Sequence, residues 1–230
     1  MFGSQYPTHI GLVDFAPDST TPHMQRDRAA GISIIAGTLA GLVTMAFHPT
    51  GRALLSYFEG VALINRSVHA LAIAGTIATF YGLLRLTRGF EGQRPLADAA
   101  LVTYGFGAVA VMFAAIASGF VATAMAEQVL IAGGDARELY EPVRDFGFAF
   151  NQACTRVFVV TASTGIGLWS LAMIREPHFG RGLGGTGLVI GTAAVIATLA
   201  GLPMDIHGFG AIVLGHGVWL IWTASRLLRA

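Results

Sequence analysis

Residues 97–125 read ADAALVTYGFGAVAVMFAAIASGFVATAM, a run whose one charge is Asp98 near its start. A helix of that length and apolarity spans a hydrocarbon core of about 30 Å at about 1.5 Å per residue. Similar stretches cover residues 30–47, 61–86, 148–174, 187–202 and 207–228. The eight prolines, Pro7, Pro17, Pro22, Pro49, Pro95, Pro142, Pro177 and Pro203, all fall in the N-terminal tail or between stretches. A proline ring blocks a helical hydrogen bond, so breakers confined to the intervals mark helix ends. Apolar length and breaker placement predict an all-α, polytopic membrane protein, a bundle of six transmembrane helices. Residues 1–29 read as a cytoplasmic tail and residues 30–230 as one transmembrane domain.

The composition agrees. Hydrophobic residues make up 54% of the chain and charged residues 12%, against about 25% charged in soluble domains. The lipid bilayer is the first partner implied, and a larger membrane complex or a homo-oligomer a further one. A net charge of +1 leaves no nucleic-acid footprint. The single cysteine, Cys154, excludes an internal disulfide and any CxxC site. The tail lacks a basic segment running straight into an apolar one, so it does not read as a cleaved signal. Its short apolar patch, residues 9–16, suits a surface-lying segment.

All 14 basic residues are arginine, and their placement sets an orientation. With the N-terminus in the cytoplasm, nine fall inside (Arg26, Arg28, Arg85, Arg88, Arg94, Arg175, Arg181, Arg226, Arg229) and four outside (Arg52, Arg66, Arg137, Arg144). The expectation is a multi-pass protein of a bacterial-type inner membrane with both termini cytoplasmic. Residues 127–145 read as a long outer loop. Gly37 with Gly41, and Gly187 with Gly191, form GxxxG pairs that suit close helix contact. Trp169, Trp219 and Trp222 suit an interfacial aromatic belt.

Polar groups inside a membrane are costly and mark function. No Asp or Glu lies well inside a stretch, which weakens a proton-coupled transporter built on carboxylates. The intruding polar groups gather on the outer side: His48, Asn65, Arg66, His69, Asn151, Gln152, Arg156, Asp205 and His207. His48, His69 and His207 come from three stretches at one level. With Asp205 they form a candidate site for zinc or iron. With Met45 and Met204 in place of Asp205 the donors suit copper.

A b-type haem is the other cofactor this pattern allows. His69 and His216 lie about 12–14 Å into stretches that run the same way, so their imidazoles suit bis-histidine ligation. Gly215 and Gly217 would leave room for the porphyrin and Arg156 would meet a propionate. The chain carries no Walker A, GxSxG or HExxH motif. Two other functions remain open on sequence alone. One is a non-catalytic accessory subunit of a larger complex. The other is a small-molecule transporter lined by Asn151, Gln152 and Arg156.

Overall fold

A computed structural model describes residues 27–49, 58–132, 134–176 and 178–229. Within them the chain forms α1 (Arg28–Phe47), α2 (Phe58–Arg88), α3 (Arg94–Ile116), a π-helical turn (Ala117–Val121), α4 (Ala122–Ala132), α5 (Gly134–Arg175), α6 (Arg181–Leu199) and α7 (Ile206–Arg229), with no strand. Six helical spans are long and apolar enough to cross a bilayer. The tail patch at residues 9–16 and Arg52 lie outside the described residues.

Side chains and breakers set the helix ends. Asp27 caps α1, its Oδ1 accepting from the Ala30 N–H at 3.0 Å, while Arg85 of α2 donates to Oδ2 at 2.6 Å. Burial alone would raise the Asp27 carboxyl, but these donors outweigh it and hold the group below its ordinary 3.8. Pro95 sits in the first turn of α3, where its missing N–H costs nothing. Gly180 (φ 86°) and Gly201 (φ 89°) supply the left-handed residues before α6 and after it.

Each helix packs against the next, and α7 returns to α1, so the transmembrane helices close a ring in chain order. Small residues bring the helices together. A Cβ on Gly37 would overlap Gly75 and Thr79 of α2, and one on Gly191 would lie 2.5 Å from the Ser163 carbonyl of α5. Gly41, the other half of the first GxxxG, has nothing within 4 Å. The main core includes Leu83, Phe90, Tyr104, Ile166, Met173 and Phe179, toward the arginine-rich end. Trp169 and Trp219 join it fully buried, their rings stacked at 6.4 Å, and the Trp169 indole N–H donates to Thr87 at 3.0 Å. They are therefore core residues rather than members of an interfacial belt; Trp222, 38% exposed, keeps the belt position.

Residues 127–145 also differ from the expected loop: the described ones among them are helical. Alanine, leucine and glutamate are frequent there and are strong helix formers. Pro142 falls inside α5, where the helix has already run past the apolar stretch. The spans Arg94–Val129 and Pro142–Arg175, at 36 and 34 residues, reach about 50 Å and outrun a hydrocarbon core of about 30 Å.

Three pairs locate that core. Arg66 and Arg85, Arg156 and Arg175, and His207 and Arg226 are each about 19 residues apart, or about 28 Å along a helix. That spacing fits Arg156, whose side chain is exposed, at the edge of the apolar layer, where it can reach the headgroups.

Candidate functional site at the π-helical turn

Asn65, His69 and Asn151, three of the outer polar residues, meet around the break in the third span, and His48 joins them through His69. A π turn carries an extra residue, which disturbs the local hydrogen-bond ladder and often accompanies a functional site. Here side chains serve its carbonyls. The Asn65 amide of α2 donates to the Ser118 carbonyl at 2.8 Å and to the Thr123 hydroxyl at 3.0 Å. Asn151 of α5 donates to the Ala114 carbonyl at 3.0 Å and the Ser118 hydroxyl at 2.8 Å. The Thr123 hydroxyl donates to the Gly119 carbonyl at 2.7 Å. Two asparagines from two helices thus hold the turn from both sides.

His69 packs on the bare backbone of that turn. A Cβ on Gly119 would overlap the Cβ and Cγ of His69, so only glycine admits the ring this close. Its Nδ1 lies 2.7 Å from the Asn65 carbonyl. A carbonyl only accepts, so Nδ1 carries the proton and Nε2 of the neutral ring keeps its lone pair. The ring of His48, just beyond α1, meets that of His69 edge-on, with centroids 4.9 Å apart and planes at 65°. Thr44 fixes this helix pair, its hydroxyl 2.9 Å from both the Ala40 and the Val68 carbonyls. Burial depresses the affinity of His48 for a proton below the ordinary 6.5, against the lift from its backbone hydrogen bonds. His48 is then neutral at pH 7. Above the pair, Arg66 and Glu127 form an ion pair that links α2 to α4.

The remaining candidates go elsewhere. Asp205 caps α7, its Oδ1 accepting from the N–H groups of His207 at 3.1 Å and Gly208 at 2.8 Å. His207 is exposed at that helix start. Among the described residues no three of His, Cys, Asp and Glu stand together as a metal site. Met45 points toward α7, its Cε 3.8 Å from where a Cβ on Gly210 would sit, and Met204 is buried with Val159, Ala194 and Ile212. Gln152 donates to the Met204 carbonyl at 3.0 Å and ties the turn before α7 to α5. Arg156 is exposed, and none of the described residues pairs with it.

His216 has a neighbourhood of its own. It is 5% exposed, its Nε2 lies 2.9 Å from the Ser163 hydroxyl, and Phe158 meets it edge-on. A Cβ on Gly217 would lie 3.3 Å from Thr38 of α1, and one on Gly215 would lie 3.5 Å from Ile190 of α6. Both glycines therefore serve helix contact instead of leaving a porphyrin face. His69 and His216 are engaged by different neighbours.

Ser118, Gly119 and Thr123 are the site residues that sequence reasoning missed. Small polar residues in an alanine-rich run look like ordinary helix packing, and nothing in the pattern announces a π turn. The chain matches no family model, no curated protein and no solved structure.

Proposed function

We propose that this protein is an integral membrane protein that holds a transition-metal ion between His48 and His69, with the site near its outer face. The observation that carries this reading is the edge-on pair of imidazoles, His69 buried and His48 half-buried, with a free Nε2 on His69. Two imidazoles sharing a tetrahedral ion at a metal–nitrogen distance of about 2.0 Å place their ring centroids about 5 Å apart. The 4.9 Å separation fits that arrangement. A carbonyl that fixes the far ring nitrogen is the usual support of a ligating histidine. Imidazole donors suit zinc and copper, and two protein ligands leave positions for water or a substrate group. The ion would act there as a Lewis acid or a redox centre. His207 and Asp205 are not part of this ligand pair, and haem is not the cofactor it favours. The arginine count supports a cytoplasmic orientation of the arginine-rich end, by the positive-inside rule.

Protein purified in detergent without chelators provides the test, by elemental analysis and a reduced-minus-oxidised absorbance spectrum of one sample. About one zinc or copper per chain is expected. It should be lost in His48→Ala and in His69→Gln, and kept in His207→Ala and His216→Ala. A Soret band would replace the metal ion by haem. Neither signal, in wild-type protein loaded with zinc and with copper, overturns the reading and leaves an accessory subunit or a transporter.

A further inference from the structure

A second polar line runs down the other side of the bundle, from the arginine-rich end to mid-membrane. On α7 it comprises Arg226, Thr223, Trp219 and His216, spaced three or four residues apart and so on one face. His216 is about 10 residues from Arg226, or about 15 Å along the helix, half the thickness of the core. On α5 the line comprises Ser170 and Ser163, two turns apart, with Ser163 bonded to His216.

The groups between His216 and the surface have no partner among the described residues. Trp219 Nε1, Ser170 Oγ and Thr223 Oγ1 are each buried without a hydrogen bond among the described residues. Their residues are 0%, 0% and 1% exposed. The first two face each other across Gly187 of α6, where a Cβ would overlap both. Buried polar atoms in native proteins are almost always paired, with protein or with ordered water. One orphan is an isolated oddity. Three along one seam, with Trp219 and Thr223 about one helical turn apart and leading toward an ionisable ring at mid-membrane, offer a row of unused polar atoms. An ionisable residue inside a membrane that faces the bundle interior marks a proton or ion pathway.

We propose that the seam between α5, α6 and α7 is a hydrated path that brings protons from the arginine-rich end to His216. Water bridges Thr223, Trp219 and Ser170, and His216 accepts the proton and hands it no further than Ser163 in this conformation. The groups that meet His216 and its flanking glycines are Ser163 and Phe158 of α5, Ile190 of α6, and Thr38 and Leu42 of α1. None is charged, so the ring titrates against its own hydration and not against an ion pair. This path is separate from the His48 and His69 pair and stands or falls without it.

Two measurements test it on the full chain. In a Cys154→Ser background, Ser170→Cys and Thr223→Cys are near-isosteric and Ile166→Cys supplies a dry position on α5. Silver ion, small enough for a single file of water, is added to sealed vesicles, and protection from later alkylation is read after denaturation. Ser170→Cys and Thr223→Cys should be protected at least tenfold faster than Ile166→Cys. Equal rates overturn the path. In the chain with its native Cys154, indole fluorescence should fall on acidification, as an imidazolium forms one turn from Trp219, and His216→Phe should abolish that component. A titration unchanged by His216→Phe overturns the proton site.

Discussion

The two ends of the bundle are held by different physics. The arginine-rich end is an apolar core with aromatic stacking at its centre: Trp169 against Trp219 at 6.4 Å, and Phe90 against Phe179 at 4.3 Å. The histidine end has a small apolar cluster of Val159, Ala194, Met204 and Ile212. It relies instead on amide and hydroxyl groups bonded to backbone carbonyls at the π turn. Packing of the first kind feels a change of even one methylene. Bonding of the second kind is directional, and the same donors that hold the turn leave two imidazoles in reach of a ligand. The contrast suggests a rigid base at one end and a chemically equipped end opposite.

Several substitutions would break or sharpen that contrast. The largest effect belongs to the base. Trp169→Ala should destabilise the protein by about 3–5 kcal/mol, as large-to-small changes of aromatic core residues do, read as a lower thermal midpoint in detergent. Gly82→Leu should come next. A Cβ there already lies 2.5 Å from Ile34 and 2.8 Å from the Ala30 carbonyl, so overpacking should cost about 1–3 kcal/mol or more. Gly41→Leu, which meets nothing within 4 Å, should leave the midpoint nearly unchanged. An equal loss at both glycines would contradict the helix contacts described.

At the histidine end, Asn65→Ala leaves the Ser118 carbonyl without its donor and should cost about 1–3 kcal/mol. It should also loosen His69, seen as faster hydrogen exchange across the π turn while the base stays protected. Asp27→Ala removes the α1 cap and should cost about 1 kcal/mol. That contribution is present above the ordinary carboxyl value of 3.8 and disappears as pH falls through the lower folded value.

The smallest effect separates the ends by pH. His48 has a folded pKa below its ordinary 6.5. As pH drops below 6.5 the unfolded chain takes up a proton that the folded chain refuses, so stability falls on acidification. At about pH 5.5, protection factors corrected for the slower intrinsic exchange should fall around His48 and Thr44 before they fall around Trp169. A uniform change would remove His48 as the cause.

The six spans were legible in the chain because a bilayer imposes a length and forbids unpaired backbone, but proline placement did not mark every helix end, since α5 runs through Pro142. The pair His48 and His69 was legible in part: both residues stood out as polar intruders at one level. That His207 would not join them was not legible, because Asp205 and His207 sit at a helix start where a capping bond costs less than ligation geometry. The tryptophans misled for a related reason. Their height along the helix suits an interface, and their rotation into the core depends on neighbouring helices.

The sequence by itself determined six membrane-spanning helices and the polar residues that intrude on them, since hydropathy acts locally along the chain. Only the tertiary structure decided which of those groups meet. The π turn, the ring on Gly119 and the orphaned seam beside Gly187 depend on how helices far apart in sequence rotate against one another. That rotation is set by the fit of many small residues together, and no single stretch of the chain contains it.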